Sequence, residues 1–167
     1  MNPDTPRTAL EPANIDWQNT TPVSLQFGDV YFSRDDGAAE SRHVFLHQND
    51  LPTRWQAWET PGSFTIGETG FGTGLNFFCA WELWRQMRKP NQHLHFVSVE
   101  KHPLQRNDLQ QACKLWPEFA EYAQALLQQY PPLLSGMHRL HFLAENLTLT
   151  MIFDDAIEGF TTLDGCV

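Results

Sequence analysis

Three glycines at alternate positions constrain the fold of this chain more than any other feature of its sequence. Gly70, Gly72 and Gly74 follow a short apolar run that ends at Glu68, and helical periodicity begins directly after them. A strand, a glycine turn and a helix in that order open the nucleotide-binding unit of α/β proteins, because glycine accepts positive φ and lets a ligand approach the backbone. The first N–H groups of the helix then face that ligand. The sequence therefore predicts an α/β fold with a ligand site at this turn.

The spacing of the glycines separates the classes of nucleotide site. Gly67 and Gly72 have the spacing of a phosphate-binding P-loop, but Thr73 occupies the position where that loop needs a lysine. The Gly-x-Gly-x-x-Gly pattern of dinucleotide sites would need glycine at Leu75 or Phe77, and neither position has it. The pattern therefore disfavours a P-loop, and it leaves a nicotinamide-dependent dehydrogenase as the weaker alternative.

Two acidic residues favour a ligand that carries both a positive charge and a ribose. A carboxylate at Glu68 would repel a pyrophosphate group but suits an ammonium group. S-adenosylmethionine has an ammonium, a sulfonium and a ribose, and the pattern around Glu68 resembles the first motif of Rossmann-like methyltransferases. Glu100 ends the next predicted strand, one βαβ unit later, where an acid can accept hydrogen bonds from ribose hydroxyls. A tight glycine turn without any ligand is the remaining interpretation.

Composition and periodicity divide the chain into three regions. Residues 1–21 are polar and contain prolines, so we expect a loose arm. Residues 22–62 are expected to form a small β element and a linker. Three runs in this second region have extended character: residues 23–27, 30–33 and 41–46. Residues 63–167 are expected to form a partial Rossmann-like cofactor-binding domain.

Strand and helix patterns alternate within that predicted domain. Strands are predicted at residues 63–68, 93–100, 139–143 and 147–153. Helical periodicity follows the glycine turn to about Lys89 and resumes at Pro103. It is interrupted at Pro117 and ends before Pro131. Residues 156–167 are predicted to form a short polar tail.

Composition limits the classes of function and of compartment. The chain has 167 residues with 41% hydrophobic residues, which is enough for one domain with a core. Its net charge of −9 gives no basic footprint, so an RNA substrate would need a local basic patch or another domain. Three cysteines without Cys-x-x-Cys spacing predict reduced, buried thiols and a cytoplasmic protein. No signal peptide, membrane-spanning run or metal site is predicted, and His93 and His95 lack a third ligand nearby.

Five stretches of this sequence resemble one known family. They are residues 29–33 (Asp-Val-Tyr-Phe-Ser), 44–46 (Val-Phe-Leu), 68–77 (Glu-Thr-Gly-Phe-Gly-Thr-Gly-Leu-Asn-Phe), 100–104 (Glu-Lys-His-Pro-Leu) and 116–118 (Trp-Pro-Glu). From about residue 22 onward the chain is similar to the methyltransferase domain of the bifunctional tRNA 5-methylaminomethyl-2-thiouridine biosynthesis proteins, the MnmC family. The run from residue 68 to 77 is the most specific of the five.

The resemblance implies an enzyme that modifies the wobble uridine of tRNA. In that family the N-terminal domain transfers a methyl group from S-adenosylmethionine to the primary amine of 5-aminomethyl-2-thiouridine. A C-terminal FAD-dependent domain first removes a carboxymethyl group from the same modification. The resemblance therefore implies S-adenosylmethionine as cofactor, tRNA as partner and FAD only in a domain that this sequence lacks.

The resemblance also assigns roles to individual positions. Residues expected on the methionine side of the cofactor are Glu68, Gly70, Phe71, Gly72, Thr73, Gly74 and Asn76. Glu100 is expected at the ribose. Asp155 is expected at the adenine, with a helix cap or a solvated strand end as its alternative role, and Asp154 stands where the family commonly has glycine. Asp29 and Tyr31 are candidates for the substrate side, and no catalytic base is assigned.

Length sets this chain apart from the methyltransferases that it resembles. Those enzymes have a seven-stranded sheet, whereas this sequence ends after the third core strand. We therefore expect a truncated product that keeps much of the cofactor half and little of the substrate half, with a bare edge on the glycine-bearing strand. An inactive adenosine-binding fragment is the alternative to an active enzyme.

Overall fold

The structure is a computed structural model that describes residues 10–18, 21–25, 28 and 37–163. Asp29 and Tyr31, the candidates for the substrate side, lie outside these residues, and so does the predicted extended run at residues 30–33. Cys79 and Cys113 are buried free thiols, as predicted.

A four-stranded sheet forms the centre of the described chain. Its strands are β3 (Gly62–Thr69), β4 (Gln92–Glu100), β5 (Gly136–Phe142) and β6 (Leu147–Phe153), and they lie in the order β3-β4-β6-β5. The first three in that order are parallel, and β5 runs antiparallel to β6. The carboxyl ends of β3, β4 and β6 therefore meet at one edge of the sheet, where open α/β sheets bind their ligands. The predicted α/β fold and all four predicted strands are confirmed.

Helices lie on both faces of this sheet. They are α1 (Gly37–Ser41), α2 (Leu51–Ala57), α3 (Leu75–Met87), α4 (Arg106–Cys113), α5 (Ala120–Gln129) and α6 (Ala156–Leu163). Side chains of α2, α3, α4 and α5 share one large core with β4 and β6, whereas Phe160 and Leu163 of α6 pack on the opposite face against Val97, Val99 and Ile152. Among the described strands, only β4 pairs with β3, so the other edge of β3 has no strand partner there.

Aromatic side chains of α3 anchor the large core. Phe77 and Trp84 are fully buried, and the ring centroid of Phe77 lies 5.2 Å from that of Phe96 on β4. Trp81 packs against Phe142 of β5 with centroids 4.3 Å apart. Helical spacing places these rings on one side of α3, as the sequence predicts, and their burial fixes that helix against the sheet.

Two predictions for the N-terminal part were wrong. Residues 41–46 were expected to be extended, but Ser41 ends α1 and a π-helix follows at Arg42–His47. A short apolar run does not distinguish strand from helix, and here Phe45 packs on Phe96 from the helix. The expected loose arm contains strand β1 (Ile15–Gln18), which pairs antiparallel with β2 (Thr21–Ser24). Backbone pairing between these neighbouring segments gives part of the arm a defined structure, which its polar composition did not predict.

Two helix positions also differ from the prediction. Helix α4 begins at Arg106 and not at Pro103, whose carbonyl instead accepts a hydrogen bond from the N–H of Ala13. The expected polar tail contains helix α6 (Ala156–Leu163), which is stabilised by burial of Phe160 against the second face of the sheet. Both differences depend on contacts with distant parts of the chain.

Gly159 allows α6 to approach β4 closely, and this gives a test of the packing. A Cβ at this position would lie 2.6 Å from Cγ1 of Val99 and 3.2 Å from Cγ2 of Ile152. Glycine to alanine in a helix normally stabilises by up to about 1 kcal/mol. We expect Gly159→Ala to destabilise the chain by about 1–3 kcal/mol in urea denaturation, because the methyl group overpacks this contact. Thr161→Ala on the exposed side of α6 should change stability little, and equal effects of the two substitutions would contradict this packing.

Candidate functional site

The turn between β3 and α3 contains the three glycines in left-handed conformations. Their φ angles are 81° at Gly70, 53° at Gly72 and 80° at Gly74. The N–H of Gly70 donates to the carbonyl of Val99 at 2.7 Å, which continues the β3–β4 ladder. A Cβ at Gly70 would meet no atom within 4 Å, whereas a Cβ at Gly74 would lie 2.9 Å from the ring of Phe71. Gly70 therefore leaves open space at the sheet edge, and Gly74 permits close packing inside the turn.

Glu68 is a buried carboxylate beneath this turn, with 7% of its surface exposed. Its Oε1 accepts a hydrogen bond from Nδ2 of Asn76 at 3.0 Å, and its Oε2 accepts one from Oγ of Ser98 at 2.7 Å. Asn76 Oδ1 in turn accepts a hydrogen bond from Oγ of Ser41. Burial raises the pKa of Glu68 to about 7, with a smaller increase from the charge of Glu100, while Ser98 and Asn76 oppose the rise.

Glu100 joins the glycine turn to the end of β4. Its Oε2 accepts from the N–H of Gly72 at 2.9 Å, and its Oε1 accepts from the N–H of His102 at 2.8 Å. The two carboxylates therefore close neighbouring parallel strands and both contact residues of the turn or of the first turn of α3. The sequence predicts that the two acids end neighbouring strands of one βαβ unit, and the structure places them there.

Asp155 lies at the start of α6, separate from the hydrogen bonds around Glu68. Its Oδ1 accepts from the N–H of Ile157 at 3.1 Å, and its Oδ2 forms an ion pair with Nζ of Lys101 at 3.1 Å. The helix N–H first and Lys101 second lower the pKa of Asp155. The carboxylate therefore caps a helix, which is the alternative role that the sequence left open.

A cleft of about 310 Å³ lies at the carboxyl ends of β4 and β6. Its lining residues follow β4, end or follow β6, or come from two other segments: Lys101, His102, Phe153, Asp154, Asp155, Leu10, Glu11 and Ser135. Because His102 lines the cleft and donates its N–H to Glu100, the cleft lies next to the residue that is expected at the ribose. It is large enough for one planar heterocycle.

The structure brings most of the predicted site residues together and separates a few. Hydrogen bonds join Glu68 to Asn76 and Glu100 to Gly72. Phe71 and Thr73 are buried, so their side chains pack within the turn. Sequence reasoning missed Ser41 and Ser98. Ser98 lies two residues before Glu100 and so on the same face of β4, a signal that strand alternation offered. Ser41 gave no signal, because its segment was expected to be extended.

Within residues 10–18, 21–25, 28 and 37–163, no group of three or more His, Cys, Asp or Glu side chains is arranged to hold a metal ion. None of the helices in that same part of the chain has the length and apolarity needed to cross a bilayer. His93 and His95 instead contact threonine hydroxyls, with Nε2 3.0 Å from Oγ1 of Thr148 and 2.8 Å from Oγ1 of Thr150.

Comparison with known proteins identifies the family. The chain is 48% identical over 98% of its length to the tRNA 5-methylaminomethyl-2-thiouridine biosynthesis bifunctional protein MnmC of Stutzerimonas stutzeri. It is 46% identical, over 98% of its length, to the protein of the same name from Psychrobacter cryohalolentis. The chain belongs to the MnmC family. It matches the N-terminal part of these relatives and spans about 25% of their length.

The fold also has a counterpart among solved structures. The crystal structure of MNMC2 from Aquifex aeolicus superposes with a TM-score of 0.63 over 96% of this chain and 46% of that chain, at 19% identity. This likeness supports the shared α/β architecture. No family model matches the sequence.

The raised pKa of Glu68 predicts a pH dependence of stability. Because the pKa is raised from 4.5 to about 7, the native state binds more protons than the unfolded chain between those values. The unfolding free energy of the wild type should therefore fall, relative to Glu68→Gln, by about 3 kcal/mol in total as the pH rises through this window. Urea denaturation of both proteins from pH 4 to 8.5 measures the difference. Parallel stability curves would show that Glu68 titrates normally.

The two conformational roles of glycine in the turn can be separated. Gly70→Ala should cost about 1 kcal/mol of unfolding free energy, because a left-handed φ is its only penalty. Gly74→Ala should cost about 2–3 kcal/mol, because its Cβ also overlaps the Phe71 ring. Denaturant unfolding of the two variants gives the comparison, and equal losses would mean that the Phe71 ring moves aside freely.

Proposed function

We propose that this chain forms the cofactor-binding part of an S-adenosylmethionine-dependent tRNA methyltransferase of the Rossmann-like type. The observation that carries the proposal is the pair of carboxylates, Glu68 and Glu100, that close neighbouring parallel strands around an open glycine turn. The family of bifunctional tRNA-modifying relatives supports the same conclusion. The methyl acceptor that we propose is the primary amine of 5-aminomethyl-2-thiouridine in tRNA.

Each carboxylate suits one part of the cofactor. The ammonium group of S-adenosylmethionine would favour the ionised form of the buried Glu68 and thereby stabilise its own binding. Glu100 uses one hydrogen bond at each oxygen, and a carboxylate offers about four acceptor positions. Two acceptor positions of Glu100 therefore remain for the ribose hydroxyls. The methionine portion would lie over Gly70, where a Cβ would meet open space.

The cleft beside Asp155 is the proposed adenine position. It adjoins Glu100 through His102, and Asp155 borders it from the start of α6. Both Asp155 oxygens have a partner, so a hydrogen bond from the adenine amino group would use a further lone pair.

S-adenosylmethionine supplies an activated methyl group on a sulfonium when it is bound. The contribution of this chain is to hold that cofactor so that an amine can attack in line, which is mainly a matter of positioning. The attacking amine must be neutral, so a nearby acceptor has to take its proton. Asp29 and Tyr31 are our candidates near the acceptor, and we assign no catalytic base.

The basic side chains of the described part offer few free positive charges to a tRNA. Ion pairs with carboxylates engage five of them: Arg42, Arg85, Arg88, Lys89 and Lys101. We therefore propose that other parts of the longer family proteins contribute most of the phosphate contacts. From the family resemblance we also propose an FAD-dependent step in the C-terminal part of those proteins. We propose that the tRNA-modifying activity is cytoplasmic.

One observation favours a second candidate function. The outer edge of β3, next to the glycine turn, has no strand partner among the described residues. The carboxyl ends of β3, β4 and β6 can form a cofactor site even though β3 has this open edge. We therefore propose, as the second candidate, a chain that binds the adenosine cofactor without transferring its methyl group. Cofactor binding without methyl transfer to tRNA would distinguish this adenosine-binding role from an active enzyme.

Calorimetric titration of S-adenosylhomocysteine into the purified chain tests the cofactor assignment. We expect saturable binding to the wild type and a loss of about 10- to 100-fold in Glu100→Gln, since two charge-assisted hydrogen bonds to the ribose are weakened. Glu121→Gln is the matched control, because Glu121 is an exposed acid that pairs with Arg85 far from the turn. Binding that is unchanged in Glu100→Gln, or absent in the folded wild type, would refute the proposal.

A further inference from the structure

We propose that Ser98 and Ser41 are positioning residues, which hold the Glu68 carboxylate in place to receive the ammonium group of the cofactor. Neither serine contacts the glycine turn itself, and each acts through hydrogen bonds that end at Glu68. The inference rests on the proposed function and adds two residues to it.

Ser98 supports the carboxylate from the neighbouring strand. The β3–β4 register places Ser98 directly beside Glu68, on the face of the sheet that packs against α3. Ser98 has none of its surface exposed, and its Oγ donates to Oε2 of Glu68 at 2.7 Å. A hydroxyl donor at this distance stabilises a carboxylate and fixes its rotamer. An alanine at this position would leave Oε2 without this donor.

Ser41 supports the carboxylate from the other side, through Asn76. An asparagine amide has a donor end and an acceptor end. Asn76 directs its Nδ2 to Glu68 at 3.0 Å, and its Oδ1 receives the hydroxyl of Ser41. The Ser41 hydroxyl therefore keeps the amide in the orientation that donates to Glu68. Rotation of the amide by 180° would place its oxygen against the carboxylate, which is repulsive when Glu68 is ionised.

The surroundings of Glu68 make these donors important near neutral pH. Burial and the negative charge of Glu100 on β4 both disfavour the ionised form. The groups that donate to Glu68 are the neutral Asn76 on α3 and the neutral Ser98 on β4, and the neutral Ser41 lies behind Asn76. Hydrogen bonds from Ser98 and Asn76 thus offset the burial of the charge. Loss of a donor should move the ionisation of Glu68, and with it cofactor binding, to higher pH.

The test compares two ligands that differ in the amino-acid portion. S-adenosylhomocysteine carries the ammonium group, whereas 5′-methylthioadenosine has the same nucleoside and a thioether without it. We expect Ser98→Ala to bind S-adenosylhomocysteine about tenfold more weakly than the wild type at pH 6, and to approach wild-type affinity toward pH 8.5. Its affinity for 5′-methylthioadenosine should equal that of the wild type throughout. Calorimetric titration from pH 6 to 8.5 provides both profiles.

Two further variants make the test independent of a folding defect in Ser98→Ala. Ser41→Ala should shift the pH profile in the same direction by a smaller amount, because it acts through Asn76. Thr150→Val removes another buried hydroxyl, on the opposite face of the sheet, and should leave both profiles unchanged.

The outcomes separate this inference from the proposed function. Equal loss of both ligands at every pH in the serine variants would mean that the serines serve packing alone, and wild-type profiles in both variants would mean that they do not act on Glu68. Either result overturns the positioning role and leaves the cofactor site intact. Failure of the folded wild type to bind either ligand would overturn the proposed function and this inference together.

Discussion

The register between β3 and β4 is the constraint on which the site depends. It places Glu68 beside Ser98 and brings the end of β3 next to Glu100, whose carboxylate then reaches the N–H of Gly72. A slip of one residue would turn Ser98 to the opposite face of the sheet and remove its contact with Glu68. Because β4 is largely buried and β3 packs Ile66 into the same core, apolar contacts hold this register, and the polar site depends on the apolar core.

The two faces of the sheet show how that core is divided. Leu94 and Phe96 of β4 pack with the aromatic side chains of α3, whereas Val97 and Val99 lie under α6. Farther toward the amino ends of the strands, the face that α6 covers becomes polar, and histidines contact threonine hydroxyls there. Burial lowers the pKa of His95, so this ring favours its neutral form. On this face of β4, the residues under α6 are apolar and the residues beyond α6 are histidines.

The buried acid and the glycine turn both lower the stability of the chain. A carboxylate that is almost fully buried reduces the unfolding free energy at neutral pH, and three left-handed backbone positions need glycine. Both features lie at the turn, where the sheet edge is open to a ligand. The extensive aromatic packing between Phe77, Trp81 and the sheet offsets this cost a short distance away. Proteins commonly combine low local stability at a functional site with a stable core beneath it.

The sequence by itself determined the α/β fold, the strand–turn–helix unit and the acids that close β3 and β4. These features depend on local spacing, namely glycines at alternate positions, helical periodicity after them and an acid at each strand end. Its resemblance to the MnmC family also identified the relatives correctly. Only the tertiary structure decided the β1–β2 pairing, the helical state of residues 41–46, helix α6 and the Ser41–Asn76–Glu68–Ser98 network. The β1–β2 pairing joins neighbouring segments whose composition gave no strand signal, whereas the other three depend on contacts between segments far apart in the chain, which local periodicity does not encode.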